Sequence, residues 1–168
     1  MVCDASEKRI VEAQIGRKTK VPFTVVKRCS YGYPMVIECF PTNGKVPFPT
    51  LHWLTCPYLR KEIARLEEKG MIKQLENLLR ISESFKRAYE KAVEYDRKRK
   101  LELLKNSKMD SSWVYEVGIG GIRDLQHIKC LHLHVASYLA GIPNPVGKKV
   151  LESLDDLECS VPLCSRLI

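Results

Sequence analysis

The chain has 168 residues, of which 45% are hydrophobic and 29% charged. That is enough apolar content for one packed core; it excludes a disordered chain and argues against a disulfide miniprotein without a core. The net charge is +8, and the seven cysteines are an odd number, so at least one cannot pair within the chain.

The first residues, Met1-Val2-Cys3-Asp4-Ala5-Ser6-Glu7-Lys8-Arg9, are charged and hold no apolar signal core. No apolar run approaches the ~18 residues of a membrane span. The chain therefore reads as cytoplasmic, with no membrane partner. Thiols stay reduced in that compartment, so the cysteines are expected as ligands, reactive groups or core fillers.

Residues 10–56 read as β-rich. Val21 to Val26, Met35 to Phe40 and Leu51 to Leu54 are short β-branched or apolar runs. Cys29-Ser30-Tyr31-Gly32 breaks the first two with a glycine turn. Asn43-Gly44, a hairpin signal, lies between the last two. Pro47 and Pro49 lack amide donors and keep the returning segment irregular or at an edge.

Residues 57–107 read as helical. Pro57 suits a first turn, and Leu59, Ile63 and Leu66 recur at helical spacing. Gly70 interrupts; Ile72, Leu75 and Leu79 resume. Ser82 is a candidate cap for a further helix with Phe85, Ala88, Tyr89 and Ala92 as its stripe. That stripe is expected to fade into the cluster Arg97-Lys98-Arg99-Lys100. Residues 57–108 carry 15 basic and 9 acidic side chains, the densest positive excess. The segment 86–105 is thus a candidate surface for nucleic acid or an acidic partner. Interleaved Glu90, Glu94, Asp96 and Glu102 equally suit a solvated helix face.

Residues 108–121 read as a glycine-containing connector. Gly118, Gly120 and Gly121 fail the dinucleotide pattern because no strand precedes them. Residues 122–140 read as a third helical segment closed by Gly141 and Pro143. Residues 151–168 form a tail in which Cys159 and Cys164 flank Pro162. They suit a ligand pair or a redox pair, although a flexible tail is the plainer reading.

The third segment holds His127-Ile128-Lys129-Cys130-Leu131-His132-Leu133-His134. On a regular helix His127, Cys130 and His134 lie within about 60° on one face. Cys130 and His132 would then diverge by more than a right angle. They can share a metal only if the helix starts near Cys130. Thiolate and imidazole together suit zinc. Cys29 in its turn and Cys56 before Pro57 are the further candidates. A Cys3His set could hold zinc or an iron–sulfur cluster. Cys56, at a helix start that would stabilise its thiolate, or Cys130 could also be a nucleophile assisted by a histidine, as in a thiol-based enzyme. No P-loop, GxSxG or HExxH occurs. Ordinary buried thiols and a satisfied core histidine are the plain alternative.

Several strings resemble one family in order and spacing. They are Gln14-Ile15-Gly16-Arg17, Arg28-Cys29 with Pro34, Pro47-Phe48-Pro49-Thr50-Leu51, and Leu54-Thr55-Cys56-Pro57. Leu66-Glu67 with Gly70-Met71, Ala88-Tyr89, Lys129-Cys130-Leu131-His132 and Asn144-Pro145-Val146-Gly147 follow. Over roughly residues 10–150 the chain resembles the bacterial domain-of-unknown-function family 501. The resemblance implies no reaction. It implies Cys29, Cys56, Cys130 and His132 as the metal set, whereas helix geometry alone favours His134, kept as the reserve ligand. The expected fold is α+β: a small antiparallel sheet packed on three to five helices within residues 1–150, followed by the tail 151–168.

Overall fold

The computed structural model describes residues 4–167. The order is α1 (Ala5–Ile15), β1 (Phe23–Arg28), β2 (Pro34–Cys39), β3 (His52–Leu54), α2 (Pro57–Glu68), α3 (Met71–Ile81) and α4 (Glu83–Leu104). Then come α5 (Trp113–Glu116), a 3₁₀ turn at Ile119–Gly121, α6 (Leu131–Leu139), α7 (Pro145–Glu152) and a 3₁₀ turn at Leu163–Arg166. Sheet first and helices after make the chain α+β.

The three strands lie in the order β1-β2-β3, all antiparallel. β2 is buried along its whole length, which explains its unalternating apolar run. Met35 and Val36 join the main core with Leu59, Ile63, Tyr89, Leu131 and Val135. Ile37 and Cys39 face a second cluster with Val11, Val21 and Phe23. α1 supplies Val11, so the helix covers one face of the strand. β1 carries an irregularity in register between Val25 and Lys27, and Val26 is exposed there.

The β-rich reading of residues 10–56 begins too early, because α1 runs through Ile15. Its signals are a side-chain cap from Asp4 and Gly16 in the left-handed region at φ 70°. The helices from 57 onward start where the residues dictate. Pro57 occupies the first turn of α2, Gly70 turns the chain at φ 84°, and the Ser82 hydroxyl accepts from the Phe85 amide.

The stripe of α4 does not fade at Arg97. It continues through Asp96, Lys100 and Leu104, all buried. Lys100 is fully buried and ion-paired with Asp96, so it adds no charge to the surface. Arg99 gives Nη2 and Nε to the two oxygens of Glu38 on β2, at 2.8 and 2.9 Å. Arg97 Nε donates to the Val117 carbonyl at 2.9 Å. Of the cluster, Lys98 is exposed with no such anchor among the described contacts.

The third helical segment differs most from expectation. Residues 122–130 are not helical, and α6 starts at Leu131 with Cys130 as its extended N-cap. Carboxylates draw the backbone donors away from a helix. Asp124 accepts from the Gln126 amide at 2.9 Å, and Glu76 from the Ile128 amide at 2.9 Å.

α6 packs on α7 through Asn144-Pro145-Val146-Gly147. Asn144 Oδ1 caps α7 by accepting from Val146 and Gly147 amides, and Pro145 fills the first turn. A Cβ at Gly147 would lie 2.1 Å from the His134 carbonyl oxygen, so only glycine allows this approach.

Candidate functional site

Glu67 stands in the last turn of α2 and faces the start of α6. Its Oε1 accepts from the Leu131 amide at 2.7 Å, capping a helix to which it does not belong. The same oxygen lies 3.2 Å from Nδ1 of His132. The other ring nitrogen, Nε2, lies 3.0 Å from the Arg60 carbonyl. A carbonyl only accepts, so Nε2 carries a proton and donates. Nδ1 then either carries a second proton, bound by Glu67, or turns a lone pair toward that carboxylate.

Cys130 completes the group. One donor atom each from Glu67, Cys130 and His132 lies within 4.8 Å of the others, all three half-buried. The early end of regular helix is what permits this. As N-cap, Cys130 has φ −162° and ψ 155°, so its side chain is not bound to the helical 100° step from His132. Burial pushes the Cys130 thiol up, the amides of Leu133 and His132 work against that, and the Glu67 charge adds to the rise.

An open cleft of about 470 Å³ leads to Cys130 and His132. Trp53 and Leu54 form part of its wall, and Arg17 and Arg60 bring guanidinium groups to it. Arg17 stacks over the Trp53 ring at 4.6 Å, and Arg60 Nη1 donates to the Gln14 carbonyl at 2.9 Å.

The candidate residues fall into separate places. Cys130 and His132 lie together with Glu67. Cys29 and Cys56 line a different, narrow pocket, so the set Cys29, Cys56, Cys130 and His132 is not gathered at one point. His134 is buried on α6, where its Nδ1 faces the Asn144 amide nitrogen at 3.1 Å. Asn144 Oδ1 is occupied by backbone amides, so Nδ2 donates and His134 accepts. Burial holds the His134 ring down to about 4, with the Asn144 bond opposing. His127 is exposed, 3.4 Å from Glu76 and 3.5 Å from Asp124. Cys3 lies outside the described residues.

Cys56 occupies the N-cap position of α2 without a side-chain cap hydrogen bond, and the helix start does not yield a lowered thiol. Burial pushes it up to about 11, outweighing the amides of Leu59 and Tyr58. Cys39 is buried on β2 and also pushed up to about 12 by burial. The residue that sequence reasoning leaves without a role is Glu67. Its only signal was a place in the Leu66-Glu67 string, 63 residues before Cys130, a separation that no spacing rule bridges.

Among the described residues, no helix is long and apolar enough to cross a membrane. A family profile described as "Protein of unknown function (DUF501)" matches residues 25–152. No curated protein and no solved structure matches the chain.

Proposed function

We propose, for a chain that belongs to the DUF501 family of proteins of unknown function, that Glu67, Cys130 and His132 bind a divalent metal ion at the head of the Trp53 cleft. The observation that carries this reading is the double engagement of His132. Its Nε2–H is spent on the Arg60 carbonyl, and its Nδ1 faces Glu67 within reach of the Cys130 sulfur. A ligating histidine is commonly oriented in this way, by a backbone acceptor on its far nitrogen.

One thiolate, one imidazole and one carboxylate suit zinc best among common divalent ions. Three protein ligands leave a fourth position, and the cleft gives outside molecules access to it. Such a site supports Lewis-acid chemistry or the binding of an anion. Arg17 and Arg60 favour an anionic occupant.

The thiol-enzyme reading has less support, because burial raises both Cys56 and Cys130. The nucleic-acid reading of residues 86–105 also has less support, because Arg97, Arg99 and Lys100 bond within the protein.

The test is elemental analysis of the full chain and of Cys130→Ser, His132→Gln and Glu67→Gln. Serine is itself a favoured N-cap, so Cys130→Ser should leave α6 intact. Each variant should lose about one zinc per chain while keeping its circular dichroism, as expected for an open site on a folded scaffold. Equal zinc in wild type and all three variants would leave Glu67–His132 as a plain ion pair and overturn the proposal.

A further inference from the structure

Four cysteines outside the cleft converge from three chain segments. Cys29 comes from the β1–β2 turn, Cys56 from the start of α2, and Cys159 and Cys164 from the tail. All four are free thiols lining one pocket, walled by tyrosines and prolines.

The tail is held there by its own bonds. The Glu158 carboxylate accepts from the Ser30 amide at 3.1 Å and also from the Ser30 hydroxyl. Tyr31 donates its hydroxyl to the Ser160 carbonyl at 2.8 Å. Gln14 Nε2 reaches both the Pro34 carbonyl at 2.9 Å and the Cys164 sulfur at 3.2 Å. On the sheet side the turn is tight: the Gly32 amide donates to the Cys29 carbonyl at 2.9 Å, with φ 81° at Gly32.

Four thiols that line one narrow pocket with almost no polar surface have one partner that holds them all as thiolates, a cation bound among them. The space among them admits about 10 Å³ of a water-sized sphere, room for one small ion.

We infer that Cys29, Cys56, Cys159 and Cys164 form a closed tetrathiolate site for a single zinc ion, which fastens the tail to the β1–β2 turn and to α2. These sulfurs are not set as closely as the Glu67, Cys130 and His132 donors, so binding requires the side chains to turn about χ1 toward the ion. Each thiol releases its proton to solvent as its Zn–S bond forms, and no electron is transferred. Four protein ligands leave no position for water, so this centre is structural, unlike the one in the cleft.

The experiment uses the full chain purified without oxygen, carrying Cys130→Ser so that the cleft contributes no ion. Elemental analysis and zinc-edge X-ray absorption should show about one zinc with only sulfur neighbours near ~2.3 Å. Adding Cys159→Ser with Cys164→Ser should remove it. If those variants fail to fold, alkylation of the Cys130→Ser chain serves: four thiols should become reactive only when a chelator is added. No zinc in Cys130→Ser overturns the inference. So does iron with acid-labile sulfide, a disulfide among the four, or zinc indifferent to the tail substitutions.

Discussion

Both carboxylate oxygens of Glu38 are taken by the Arg99 guanidinium, which ties the central strand to the longest helix. His52 Nε2 adds a third approach, 3.4 Å from Glu38 Oε2. Arg99 in turn holds Glu102 at 3.2 Å. The most conspicuous cation of the basic string is therefore a strut between sheet and helix.

Glu38 should make stability sensitive to acid. Burial alone would raise its carboxyl, but the bonds from His52 and Arg99 and the Arg99 charge bring it down to about 2 from 4.5. The unfolded chain takes up the proton at the ordinary value. The contribution is thus complete above pH 4.5 and is lost as pH falls from 4.5 toward 2. It amounts to no more than about 3 kcal/mol, since Arg99 is itself half in solvent. Urea unfolding at pH 6, 4 and 2.5 should show the gap between wild type and Glu38→Gln shrinking with acid. A gap independent of pH would contradict this.

Lys100→Ala should destabilise strongly without changing any surface property. It strands Asp96, which is as buried as its partner. Removing one member of a buried pair costs about 3–5 kcal/mol, whereas removing both for apolar residues is often neutral. Lys100→Met with Asp96→Leu should therefore recover most of the loss in a thermal melt. A mild effect of Lys100→Ala would show that the pair is wet.

Asn144→Ala should cost about 2–3 kcal/mol, because two functions go at once. The cap on α7 is lost, and the buried His134 Nδ1 is left without its donor. Asn144→Asp keeps the cap but sets a carboxylate against the His134 lone pair, so it should not rescue fully. Chemical denaturation midpoints of the three proteins decide it; full rescue by aspartate would refute the assigned orientation of the amide.

The sheet and α2 to α4 were legible because their signals are local. Val, Ile and Phe runs, Pro57, Gly70 and Ser82 each act within a few residues. The start of α6 was not, because what stops the helix is Glu76 and Glu67, carboxylates from distant helices that claim the amides of Ile128 and Leu131. The same remoteness hid Glu67 as a partner of Cys130. The tail was misread for a related reason. Cys159 and Cys164 look unanchored until the β1–β2 turn presents the Ser30 amide to Glu158. His132 was marked by the family string against the helical wheel, and the wheel failed because Cys130 is not yet on the helix.

The irregularity at Val26 bears on how this protein behaves in a crowded solution. β1 is the outer strand of the sheet, and an outer strand exposes unpaired backbone groups to any neighbouring chain. Here the strand loses regular register at Val26, then carries Lys27 and Arg28 side by side. A twisted rim that carries Lys27, with Arg28 ion-paired to Glu7, is a poor template for a second rim of the same kind. Copies of the chain would have to bring like charges together to zip edge to edge, and the short sheet is thereby kept from recruiting strands to itself.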